Sequence, residues 1–132
     1  MRITAPALAA LVNEAREAAP GECCGVLGGI GGAIEAVFPV ANVAPAPGSR
    51  YELDPRGLVE ARRDAAARGL EVAGFYHSHP RTPPEPSSYD VANALYPECV
   101  YVVIGLDPEA VVRAFRIAGG AVAEWAVETD PA

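Results

Sequence analysis

Glycine and proline punctuation limits this chain more than any other feature. Thirteen residues of each kind cut 132 positions into short segments, and no segment approaches the roughly 18 apolar residues a membrane span needs. Between the breaks the apolar period alternates between that of a helix and that of a strand. Ala5 to Ala19 sets Leu8, Leu11, Val12 and Ala15 on one helical stripe, with Thr4 as N-cap, Pro6 in the first turn and Pro20-Gly21 as the stop. A strand follows through Cys24 to Gly28, and Gly28, Gly29, Gly31 and Gly32 turn the chain into a second, Ala33 to Val40. Asn42 to Arg50 reads as an exposed loop.

Asp54-Pro55 starts a second helix, which carries Leu58, Val59, Ala61, Arg62, Ala65 and Ala66 to a stop at Gly69. Glu71 to Ser78 is a short strand, and a proline-rich loop, His79 to Pro86, leads to a short helix over Ser88 to Leu95. Three strands close the chain, at Cys99 to Leu106, Ala110 to Ile117 and Val122 to Val127, with turns at Asp107-Pro108 and Gly119-Gly120. The order predicts one α/β domain over residues 1–128, a mixed sheet flanked by helices, with residues 129–132 a short tail.

Composition narrows the function. With 51% apolar and 20% charged residues the chain can build a core, so disorder is excluded. Ten basic residues, all Arg, stand against 17 acidic ones for a net charge of −7. That balance opposes binding to nucleic acid or to an anionic membrane by bulk attraction. Cys23, Cys24 and Cys99 are odd in number and two are adjacent, and no apolar leader follows Met1. Reduced thiols in a cytoplasmic protein are the expectation.

The only two histidines, His77 and His79, stand two apart on an extended segment and so share a face. They suit a metal ion or simply a pair of satisfied polar groups. Asp90 follows past a loop holding four prolines. Two histidines and a carboxylate are a recurring set for a hydrolytic zinc with an open fourth position. Asp90 equally fits a capping box with Ser87. Glu22, just before the Cys23-Cys24 strand, is the candidate base for taking a proton from water, or else a solvated loop residue. Cys23 and Cys24 lack the Cys-x-x-Cys spacing of structural zinc sites, and core packing is expected for Cys24 and Cys99.

The run Gly74-Phe75-Tyr76-His77-Ser78-His79-Pro80 with Ser87-x-x-Asp90 resembles the JAMM (MPN-plus) metalloprotease signature, without insertion or deletion. Glu22-Cys23-Cys24-Gly25-Val26-Leu27 resembles that family's upstream Glu segment. The resemblance implies a JAMM/cytidine-deaminase-like fold, Zn²⁺ held by His77, His79 and Asp90, and Glu22 as general acid and base. It also implies Ser87 as hydrogen-bond donor to the tetrahedral intermediate and a structural role for Ser78. The family cleaves amide or isopeptide bonds at the C-terminus of ubiquitin-like proteins. A chain this compact resembles the small stand-alone prokaryotic members, some of which trim the Gly-Gly end of a ubiquitin-like sulfur carrier. On that reading the Asn42 to Arg50 loop and the segment after it flank the substrate groove, and Arg50 or Arg81 is a candidate to meet substrate carboxylates, or else an exposed Arg with no such role. Three alternatives stand beside it. A non-catalytic scaffold of the same fold typically loses the ligands kept here. A zinc nucleoside deaminase needs His-x-Glu and Pro-Cys-x-x-Cys, which are absent. A DNA-repair relative with a His-x-His-Pro loop is disfavoured by the acidic balance.

Overall fold

Each helix begins where a side chain supplies an acceptor for the orphan N–H groups of its first turn. In the computed structural model, which describes residues 1–130, strand β1 (Arg2–Thr4) runs into helix α1 (Ala5–Ala18), and Thr4 Oγ1 accepts from Ala7 N at 3.3 Å. Strands β2 (Cys24–Ile30) and β3 (Ala33–Val40) are joined at Gly31 and Gly32. Their φ angles of +57° and +81° are those a two-residue hairpin turn requires at both central positions. Helix α2 (Pro55–Ala67) is capped by Asp54, which accepts from Gly57 N at 3.2 Å. Strand β4 (Glu71–His79), the short helix α3 (Ser88–Ala92) and strands β5 (Val100–Gly105), β6 (Val111–Ala118), β7 (Ala121–Trp125) and β8 (Glu128–Asp130) complete the order.

The eight strands form one mixed sheet in the order β7-β6-β5-β4-β2-β3-β1-β8. β4 lies inside it, antiparallel to β2 and parallel to β5, so both of its hydrogen-bonding edges are paired. Side-chain alternation sorts the core into two layers. Ile3, Leu11, Leu27, Tyr76, Val102 and Ile104 pack on the α1 side, while Val26, Phe38, Ala61, Phe75, Val103 and Phe115 pack on the α2 side. Ala61 and Ala65 are the buried residues of α2, and their small size lets that helix lie close to the sheet.

The mixed sheet and both long helices agree with the sequence expectation, and three details do not. The tail expected from residue 129 is strand through Asp130, and residues 131 and 132 lie outside the described ones. β8 runs parallel to β1 with Arg2 opposite Glu128, supported by an Arg2–Asp130 ion pair at 3.3 Å and a bond from Glu128 N to Met1 O. Neither three-residue strand carries an apolar alternation long enough to read. The short helix stops at Ala92 instead of Leu95, because the Asn93 side chain and backbone N–H both turn back to Tyr89 O, leaving Leu95 74% exposed. Among the described residues no helix is long and apolar enough to cross a membrane.

Candidate metal centre

Three donor atoms meet at the end of β4. His77 and His79 project on the α2 side of the strand, as their spacing requires, and both are buried. Their Nε2 atoms lie 3.1 Å apart, and Asp90 Oδ2 lies 2.9 Å from the first and 3.1 Å from the second. The proline-rich loop swings α3 back over the strand end to deliver Asp90. The capping-box reading of Asp90 is met: Asp90 N donates to Ser87 Oγ at 3.0 Å, and Ser87 N donates to Asp90 Oδ2 at 2.9 Å. The capping box aims the carboxylate at the histidines.

The donor set fits a small cation. Ligands about 2.0–2.1 Å from a tetrahedral zinc stand about 3.3 Å from one another, close to the observed separations. His79 Nδ1 faces Pro83 O at 2.9 Å, which assigns the proton to Nδ1 and leaves the Nε2 lone pair free for a metal. The His77 ring is held flat by Tyr51, centroid to centroid 4.3 Å at 18°, and its buried Nδ1 has no partner among the described residues.

Electrostatics keep the Asp90 carboxyl ionised. Burial raises the Asp90 carboxyl, but hydrogen bonds from His77 and His79 outweigh it and hold the group well below the usual carboxylate range. Burial lowers His77 against the pull of Asp90. Burial also opposes charge on His79, yet Asp90, the Pro83 carbonyl and Glu22 together raise it.

Glu22 stands beside this triangle. One carboxylate oxygen of Glu22 and one ring nitrogen from each histidine lie within 4.8 Å of one another, a grouping able to hold a metal ion. Glu22 is 7% exposed, and its Oε1 is buried without a partner among the described residues. Burial pushes its carboxyl up to about 7, with His79 opposing and Asp90 adding. A carboxyl near 7 can both take and return a proton. Ser78, on the opposite face of β4, ties this segment down: Cys23 N donates to Ser78 Oγ at 2.8 Å, and Ser78 N to Cys23 O at 3.1 Å.

A cleft of about 470 Å³ opens on the centre, walled by Glu22, Gly48, Ser49, His79, Arg81 and Ser87. Gly48 and Ser49 bring the Asn42 to Arg50 loop to the edge of this cleft. Ser87 is exposed there, and since its Oγ accepts from Asp90 N, its own proton remains to donate. Arg50 lies with its guanidinium 4.6 Å from the centre of the Tyr89 ring. The cysteines are free and buried. Cys24 Sγ donates to Val40 O, Cys99 sits in the α2-side core, and burial pushes the Cys23 and Cys24 thiols up to about 12, so neither offers a thiolate. The sequence reading missed Tyr51 and the Pro83 carbonyl, neither of which has a local signal. It also passed over the side chain of Asn42, whose place just before a proline-rich loop is an Asx-turn cue.

Residues 4–118 match the family described as prokaryotic homologs of the JAB domain. A desampylase of Haloferax volcanii is 39% identical over 113 residues, covering 81% of each chain. A CysO-cysteine peptidase of Mycobacterium tuberculosis is 35% identical over 126 residues, 92% of this chain and 86% of that one. A protein of Desulfitobacterium hafniense solved in solution superposes with a TM-score of 0.87 at 31% identity, covering 98% of this chain and 92% of the other. With its histidine pair, Ser87-x-x-Asp90 and upstream Glu22 assembled around one point, the chain belongs to the JAMM (MPN-plus) family, among its prokaryotic JAB members.

Proposed function

We propose that this chain is a zinc-dependent peptidase or isopeptidase that hydrolyses the amide bond beyond the C-terminal Gly-Gly of a ubiquitin-like or sulfur-carrier protein. The observation that carries it is the meeting of His77 Nε2, His79 Nε2 and Asp90 Oδ2 within 3.1 Å, beside a buried carboxyl with an unpartnered oxygen. His77, His79 and Asp90 would hold the metal. Zinc bound there would supply Lewis acidity, acidifying water and polarising the substrate carbonyl. Glu22 takes the proton of the attacking water and returns it to the departing amine. The Ser87 hydroxyl donates to the carbonyl oxygen as it gains charge.

The substrate class follows the shape of the cleft and the names of the relatives, a desampylase and a CysO-cysteine peptidase. A Gly-Gly tail has no side chains to clear the walls at Gly48, Ser49 and Ser87, and an extended backbone can reach a recessed centre. A net charge of −7 favours a carrier that is neutral or basic near its tail over nucleic acid or an anionic membrane. A cytoplasmic setting, where thiols stay reduced, suits three free buried cysteines.

The test is mass spectrometry of carriers extended past Gly-Gly. Cleavage directly after the second glycine, abolished by a chelator and restored by zinc, is expected. Cleavage that persists in chelator, or none with zinc-loaded protein across a carrier panel, would overturn the proposal.

A further inference from the structure

Asn42, where the chain leaves β3, uses every hydrogen-bonding position of its side chain. Nδ2 donates to Glu22 O and to Arg50 O, and Oδ1 accepts from Ala44 N and Glu52 N, all four at 3.0 Å. A carboxamide has two donor hydrogens and two acceptor lone pairs, so none is left over. The two Oδ1 bonds shape the loop, and an Asx turn needs nothing more. The Nδ2 bond to Glu22 O is a separate link to a residue 20 positions away.

That link closes a frame around Glu22. Its N–H donates to Pro47 O at 2.7 Å, inside the same loop, and its carbonyl hangs from Asn42. The two ends of the loop are fastened by the Asn42–Leu53 bridge and by Val43 N donating to Glu52 O at 2.9 Å. Gly48 and Ser49 of this loop form one wall of the cleft. The cleft wall and the backbone that carries Glu22 are therefore one unit, while the Glu22 carboxylate itself has an oxygen with no partner among the described residues. The backbone frame, together with the grip of Ser78 on Cys23, sets where that carboxylate reaches.

We propose that Asn42 is a positioning residue for Glu22, holding it in register with the cleft wall; the proposal rests on the reading of Glu22 as the base. Asn42→Asp keeps both acceptors and loses both donors, and sets a carboxylate against two carbonyls. Asn42→Ser keeps a short acceptor for Ala44 N and cannot span to Glu22. A misplacement of about 1 Å in a reacting group costs about 10²-fold in rate, so each variant is expected to lower kcat about 10- to 100-fold. KM should stay within about twofold and the zinc content at the parent level.

Val43→Ala is the contrast, because Val43 gives the loop only its backbone N–H and its side chain is exposed. It should leave both kcat and KM at the parent level. In a Glu22→Gln background, Asn42→Asp should cost less than about twofold more, since Asn42 acts through Glu22. The measurement is steady-state cleavage of a Gly-Gly-extended carrier, with zinc content and thermal unfolding of each variant. If Asn42→Asp does not fold, Asn42→Ser carries the test. Parent-like kcat in a folded Asn42 variant, or an undiminished drop on top of Glu22→Gln, would overturn the role of Asn42 and leave the peptidase standing. A parent-like rate in Glu22→Gln alone would instead remove Glu22 as base, and the role of Asn42 with it.

Discussion

The two faces of β4 are built from the same nine residues and do opposite work. On the α1 side, Tyr76 and Ser78 are fully buried and satisfied: the Tyr76 hydroxyl donates to Glu14, and Ser78 Oγ accepts from Cys23 N. Gly25 lies under Tyr76 because a Cβ there would collide with that hydroxyl and with Phe38 O. On the α2 side, Phe75 continues the core, but His77 and His79 bring polar atoms to within 3.1 Å of one carboxylate oxygen. Beside them a Glu22 oxygen is left without a partner among the described residues. One side has a partner for each buried polar side-chain atom among the described residues and serves stability. The other keeps unmet demand that a metal and a water can fill. Alternation along a strand puts these roles one residue apart, joined where Ser78 grips Cys23.

The comparison can be broken most sharply by exchanging a residue on each side. His77→Ala is expected to take zinc from about one per chain to none and cleavage to background, read by elemental analysis and carrier assay. Ser78→Ala leaves the buried Cys23 N–H without its acceptor and should cost about 1–3 kcal/mol in urea unfolding, with zinc content unchanged. Loss of zinc without loss of stability in Ser78→Ala would show that the faces are not separate.

A smaller effect appears with pH in metal-free protein. The Glu22 carboxyl is raised from 4.5 to about 7 by folding. The folded chain therefore holds that proton more tightly, and the stability this adds is complete below about pH 4.5 and lost as pH rises through about 7. His77, lowered by burial, contributes with the opposite sign. The quantity to measure is thus the parent minus Glu22→Gln, which should fall across that window; a flat difference would place Glu22 in solvent. The smallest effect belongs outside both faces. Val122→Thr on β7, a residue 45% exposed, should shift stability by less than about 0.5 kcal/mol and leave kcat and KM unchanged.

Most of this arrangement is legible in sequence wherever the signal is local. Thr4 and Asp54 mark their helices, Gly31-Gly32 marks a hairpin, and the His77–His79 spacing commits both rings to one face. Ser87-x-x-Asp90 is readable both as a cap and as a ligand, and the capping box turns the carboxylate toward the histidines. What stays hidden is contact between segments distant in sequence. Nothing near Tyr51 says that it stacks on His77, nothing near Arg2 says that residues 128–130 pair with it, and the reach of Asn42 to Glu22 spans a whole hairpin.

The central claim is that Asp90 completes the metal site and Glu22 does the proton work. It is tested most directly by zinc content in Asp90→Ala and Glu22→Gln, each purified without chelator and assayed on the same carrier. Asp90→Ala is expected to lose zinc, and Glu22→Gln to keep about one zinc per chain while kcat falls about 10²- to 10⁴-fold. Zinc retained in Asp90→Ala and lost in Glu22→Gln would contradict the account.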